Sequence, residues 1–193
     1  AEIGRLSGDA TEEIDARGKL VAPGFVDIHS HYDGQVLWDE RMTSSSWHGV
    51  TTTVMGNCGL GFAPVRPADR DLLVEFMEGV EDIPGEVLRE GLSWDWNSFP
   101  DYLDVLDGRP YDMDVCAQLP HSALRVFVMG DRAVKREIAT ADDIVEMRRL
   151  AAESMRAGAL GFTTSRTLNH RTLAGEPIPS LGADVAELAG IAM

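Results

Sequence analysis

A parallel α/β fold is predicted by three features of the 193-residue chain. Apolar, β-branched runs recur along it. Helical stretches and loops separate those runs, and the chemically interesting residues fall where the runs end. In open sheets and in (β/α)8 barrels alike, chemistry gathers at the C-terminal ends of parallel strands. Four runs have strand character, against the eight strands and roughly 250 residues of a closed barrel. The chain therefore reads as about half a barrel.

The central run is Leu20 to His31, Leu-Val-Ala-Pro-Gly-Phe-Val-Asp-Ile-His-Ser-His. It predicts a buried strand with ligands at its tip. Side chains alternate faces along a strand, so Phe25, Asp27, His29 and His31 share one side and Val26 and Ile28 the other. Two imidazoles at i and i+2 grip one ion without bending the backbone, which makes His29 and His31 candidate metal ligands. Ahead of this run, residues 1 to 19 suggest short β pieces joined by polar turns. After it, Tyr32 to Ser46 is polar enough to predict a surface loop leading into a short helix.

The second run, Gly49-Val-Thr-Thr-Thr-Val-Met-Gly-Asn-Cys-Gly, is β-branched and ends in a cysteine among turn formers. Gly56, Asn57 and Gly59 predict a tight turn that brings Cys58 to a strand tip, as a third ligand rather than a core thiol. Apolar spacing predicts a helix over 69–80 with Leu72, Leu73, Phe76, Met77 and Val80 inward, broken by Ile83-Pro84-Gly85. Ser98 and Asp101 form a capping pair for a helix around 101–106, and the tryptophans before it suit packing. A third strand runs from Met113 to Leu119 and leads to His121, with Val126 to Met129 as a further apolar piece. Thr140 begins the clearest helix and Gly158 stops it. The fourth strand is Ala159 to Ser165. A loop containing His170 follows, then a helix over 184–192.

Composition narrows the function. Seventeen Lys and Arg against 32 Asp and Glu give a formal charge of −15, which argues against nucleic acid or an anionic membrane as partner. No apolar run approaches the ~20 residues of a membrane span, and no basic-apolar leader precedes Leu20. Two cysteines make no disulfide framework. A soluble, cytoplasmic protein is expected, and a start at Ala1 within strand-and-turn sequence suggests a fragment truncated at both ends.

Pro23-Gly-Phe-Val-Asp-Ile-His-Ser-His followed by His48-Gly-Val-Thr-Thr-Thr-Val-Met-Gly-Asn-Cys-Gly resembles the amidohydrolase superfamily, and specifically its D-aminoacylase (N-acyl-D-amino-acid deacylase) branch. The first motif is broad within that superfamily, and the Gly-Asn-Cys-Gly turn is much narrower. Pro120-His-Ser-Ala-Leu-Arg and Met155-Arg-Ala-Gly-Ala-Leu-Gly-Phe-Thr-Thr extend the likeness over nearly the whole chain. The resemblance implies a metal-bearing (β/α)8 barrel, with residues 20–193 as its first half and 1–19 as a remnant of a small β domain. It implies zinc, as one or two ions, on His29, His31 and Cys58. It further implies deacylation of a small-molecule N-acyl-D-amino acid by a metal-activated hydroxide. The general-base aspartate and two further histidines are expected beyond Met193, which leaves no catalytic residue in this stretch.

Arg166, at the end of the fourth strand, is the candidate for gripping a substrate carboxylate, with a surface arginine as the alternative. His121 either touches substrate or satisfies a backbone carbonyl, and His48 reads as structural. A cyclic amidase of the dihydroorotase or hydantoinase kind shares the His-x-His strand but normally carries a fourth-strand lysine, and Ala159 to Ser165 has none. A non-catalytic metal-binding fragment, or a half-barrel pairing through an open sheet edge, is the reading outside enzymes. Thr164-Ser-Arg-Thr-Leu-Asn-His-Arg departs from the Gly- and Tyr-containing segment usual at that place in the branch, which bears on substrate choice.

Overall fold

A computed structural model describes Gly4 and residues 8–193. The β pieces expected near Glu2 to Leu6 fall almost wholly outside the described residues, and 8–19 form turns and extended chain without a strand. Beyond them lie β1 (Phe25–Asp27), β2 (Val50–Met55), α1 (Arg70–Glu81), α2 (Gly85–Gly91), α3 (Phe99–Asp107), β3 (Asp114–Ala117) and β4 (Leu119–Pro120). They are followed by α4 (His121–Met129), α5 (Asp131–Val134), α6 (Ala141–Ala157), β5 (Phe162–Thr163) and α7 (Val185–Ala192).

All strand pairings among the named strands are parallel. β1 pairs with β2 through Val26 and Thr52, β2 with β3 through Val54 and Cys116, and β4 with β5 through Leu119 and Phe162. Gln118 joins the two sheets, because its N–H donates to Met55 O at 3.0 Å while Leu160 N–H donates to Ala117 O and Leu119 N–H to Gly161 O, both at 2.8 Å. The four predicted strands are therefore present in sequence order, the third divided at Gln118.

Two expectations change. The first strand is short and its apolar residues are uncovered, with Phe25 at 70% and Ile28 at 73% exposure. It is the edge of its sheet, hydrogen-bonded among the described strands only to β2, so burial cannot come from both sides. Conversely, the polar stretch after it enters the core. Val36, Leu37 and Met42 are buried, held in place by Tyr102 Oη donating to Asp33 O at 3.0 Å and Tyr111 Oη donating to Val36 O at 3.1 Å.

The helices follow local rules. On α1, Leu73, Phe76 and Met77 are buried as helical spacing requires, Leu72 and Val80 are half-buried against the core, and Val74 is buried in addition. α2 was not expected, because the Pro84 break is followed directly by a new N-terminus burying Leu88. Ser98 and Asp101 form the reciprocal capping box of α3. Val126 to Met129 is the last part of α4 rather than a separate piece. On α6, Thr140 accepts from Asp143 N–H at 3.2 Å and its own N–H donates to Asp143 Oδ2 at 2.8 Å, while left-handed Gly158 ends the helix. Helices α3, α4 and α7 pack on α6. Trp96 is 1% exposed and donates to Phe62 O at 2.7 Å, the packing role its composition suggested.

Replacing Thr140 with Ala removes one side of a complete capping box and should lower stability by about 1 kcal/mol; urea unfolding followed by circular dichroism measures it, with the denaturant slope unchanged.

Candidate metal centre

Backbone proximity fixes the site. The turn after β2 passes so close to its neighbours that a Cβ at Gly56 would lie 2.1 Å from Gln118 O, and one at Gly59 would lie 3.0 Å from Thr164 Cα. Both glycines are left-handed (φ 82° and 72°), which only glycine adopts freely. Cys58 between them is also left-handed, at φ 57°, a conformation that costs a branched or bulky residue more than it costs a small one. Asn57 ties this turn to the first strand. Its amide nitrogen donates to Val54 O at 2.7 Å and Ser30 O at 3.2 Å, and its oxygen accepts from Gln118 Nε2 at 2.9 Å.

Ser30 is the other anchor. It is buried, its N–H donates to Val54 O at 3.0 Å, and its hydroxyl meets Thr53 Oγ1 at 2.8 Å. Asp27 Oδ1 accepts from His29 N–H at 3.1 Å, a local turn that ends the strand. With Ser30 held inward, His29 and His31 take the same side, their ring centroids 5.4 Å apart.

One ligand atom from each of His29, His31 and Cys58 lies within 4.8 Å of the others. Cys58 Sγ is 3.3 Å from His29 Nε2. Burial, with help from the neighbouring imidazoles of His29 and His170, lowers His31 to about 4, so the ring is neutral and has a free lone pair at ordinary pH. Burial and the Glu81 carboxylate push the Cys58 thiol up. Two imidazoles and a sulfur form a donor set suited to zinc, and a coordinated thiol gives up its proton. His31 Nδ1 is buried with no hydrogen-bond partner, as expected of a ring whose surroundings are incomplete without another group.

Glu81 is the residue that sequence reasoning missed. Its Oε1 lies 3.4 Å from His31 Nε2. The available signal was Glu81-Asp82 at the C-terminus of α1, where the helix dipole favours cations, so an acid there asks for a local partner. Asp33 was missed too. It is 3% exposed, its Oδ2 is unpartnered, and burial, aided by Glu81, raises its carboxyl to about 7.

The other candidates are placed differently. Arg166 is exposed and makes no ion pair among the described residues, which leaves its guanidinium free. His121 is 0% exposed, and both ring nitrogens are already engaged, Nδ1 with Thr164 Oγ1 at 2.7 Å and Nε2 with Glu187 Oε1 at 2.8 Å. It therefore neither reaches substrate directly nor serves a backbone carbonyl. His48 is exposed in the turn before β2, away from the strand tip. His170 is half-buried, its Nδ1 unpartnered.

Two imidazoles and a thiol thus meet at the C-terminal tips of parallel strands, a group that could hold a metal ion. Residues 12–193 match the amidohydrolase family. D-aminoacylase of Alcaligenes xylosoxydans xylosoxydans is 39% identical over 165 residues, 85% of this chain and 31% of that protein. Among solved structures, N-acyl-D-glutamate deacylase of Bordetella bronchiseptica, complexed with zinc and a phosphonate inhibitor, superposes with a TM-score of 0.71 at 30% identity, over 92% of this chain and 32% of that one. D-aminoacylase, in a structure concerned with its binuclear metal centre, gives 0.65 at 33% identity over 88% and 31%. The chain belongs to the amidohydrolase family, in the branch that holds the D-aminoacylases, and spans about a third of the length of the curated relatives it matches.

Asp33 makes the pH dependence testable. Its carboxyl is near 7 when folded and 3.8 in the open chain, so the folded state holds the proton more tightly. The stability this group confers is full below about pH 4 and is lost as pH rises through about 7. Asp33→Asn removes that decline; denaturant titrations of metal-free protein at pH 4.5, 6 and 8, windows set by these two pKa positions, measure the difference.

Proposed function

We propose that residues 20–193 are the first half of a metal-dependent (β/α)8 barrel, with 1–19 belonging to a small β domain. In this reading the whole protein hydrolyses the amide bond of an N-acyl-D-amino acid. The observation that carries it is the convergence of His29, His31 and Cys58 within 4.8 Å at the tips of adjacent parallel strands, where barrel enzymes place their chemistry. The deacylase relatives support the amide substrate, and the zinc bound to one of them supports the metal.

A zinc ion, or a pair of them, supplies Lewis acidity and lowers the pKa of water at the centre. The remaining tasks fall to this chain's own residues. His29 and His31 would offer neutral nitrogen donors, and Cys58 would offer a sulfur in the role that a fourth-strand lysine or glutamate fills in many amidohydrolases. Glu81 lies beside the His31 ring, its carboxylate 3.4 Å from Nε2. Arg166 is free at the end of β5 to pair with the substrate's carboxylate, for which its planar fork is suited.

Full-length, zinc-loaded protein should release acetate from N-acetyl-D-amino acids and lose that activity on removal of metal by a chelator. Arg166→Ala should raise KM by roughly tenfold, the loss of one charge-assisted pair, with a smaller change in kcat. Steady-state kinetics on D and L substrates checks both. Turnover of a dihydropyrimidine ring but of no linear N-acyl amino acid would replace this reading with the cyclic amidase.

A further inference from the structure

Beside the candidate centre runs a buried polar chain that the metal chemistry does not use. Glu187 on α7, Arg125 and His121 on α4 are each fully buried. Glu187 Oε1 lies 2.8 Å from His121 Nε2 and 2.8 Å from Arg125 Nε. Arg125 also donates to Glu137 O at 2.7 Å and to Pro179 O. His121 Nδ1 lies 2.7 Å from Thr164 Oγ1, and Thr164 is exposed at the end of β5. Its backbone abuts Gly59, the residue after Cys58, so the chain surfaces beside the turn that carries Cys58.

The direction of each hydrogen bond follows from its neighbours. A carboxylate beside a guanidinium only accepts, so His121 Nε2 carries the hydrogen toward Glu187. Burial outweighs the opposing pull of Glu187 and, with Arg125 and Arg166 nearby, lowers the imidazole, which stays neutral. A neutral ring protonated at Nε2 has an acceptor at Nδ1. The Thr164 hydroxyl therefore spends its one hydrogen on His121, and its outward side holds only lone pairs.

We propose that Thr164 contacts substrate as a specificity-determining acceptor, with His121 and Glu187 as the positioning residues that fix its polarity, so that the site selects an N–H donor at the reacting group. This rests on the amide-hydrolase reading and deepens it. The N–H of an N-acyl amino acid meets an oxygen that cannot turn to donate, whereas the ester oxygen of the matching O-acyl compound meets lone pairs facing lone pairs. A site built around a polar contact rejects the analogue lacking it.

The test compares an N-acetyl-D-amino acid with its O-acetyl 2-hydroxy-acid counterpart on full-length, zinc-loaded protein. Thr164→Val should lower kcat/KM for the amide by about tenfold, the upper range for one neutral hydrogen bond, and leave the ester within about twofold. Thr164→Ser should restore the amide rate. In parallel, nitrogen-15 spectra of histidine-labelled protein, with His121 assigned by its loss in His121→Gln, should show Nε2–H and a bare Nδ1. Equal losses on amide and ester, or a ring protonated at Nδ1, overturn the proposal. If the wild type turns over neither compound, the hydrolase reading fails and the substrate contact with it, while the nitrogen spectrum still decides the hydroxyl's polarity.

Discussion

The contact between Gly56 and the backbone of Gln118 governs this structure. A side chain at Gly56 would occupy the space of the Gln118 carbonyl, and one at Gly59 would press on Thr164. Because neither exists, the turn after β2 drops between the third and fourth strands, and Cys58 reaches the point that the first strand serves with His29 and His31. Asn57 completes the arrangement through three hydrogen bonds to three segments of chain. Fold and candidate centre thus share one constraint: the strands must approach closely before the donors can meet.

A second constraint lies beneath β5. Burying Arg125 and Glu187 beside the neutral His121 costs desolvation of the ion pair, and such pairs contribute little net stability while being expensive to break, by about 3–5 kcal/mol when one partner is removed. What the cluster secures is position. Arg125 holds the carbonyls of Glu137 and Pro179, and Ser180 next in the chain donates to Ser165 O at 2.7 Å. The loop after β5 is thereby tied to α4, and the rim carrying Thr164 and Arg166 gains a fixed base.

Features written as local patterns were legible in the sequence. The His-x-His strand end, the Gly-Asn-Cys-Gly turn, the Ser98–Asp101 capping pair, the Thr140 N-cap and the Gly158 stop each depend on residues within a few positions of one another, and each appears in the structure. Features that depend on distant partners were not. Glu81 approaches His31 across fifty positions of sequence, and Glu187 meets His121 across sixty-six. The burial of Val36 and Met42 depends on where the helices pack rather than on how polar the segment reads. The exposed β1 shows the same limit from the other side, since an apolar run specifies a wish for burial but not the element that provides it.

The proposed function requires His29, His31 and Cys58 to hold one cation in common. X-ray absorption at the zinc edge, on protein carrying residues 1–193 and loaded with zinc, tests it most directly. A shared site gives a sulfur scatterer at about 2.3 Å together with nitrogen scatterers at about 2.0–2.1 Å, with the sulfur lost in Cys58→Ser and imidazole scattering reduced in His29→Ala. A shell of light atoms alone in the wild type, unchanged by either substitution, would contradict it.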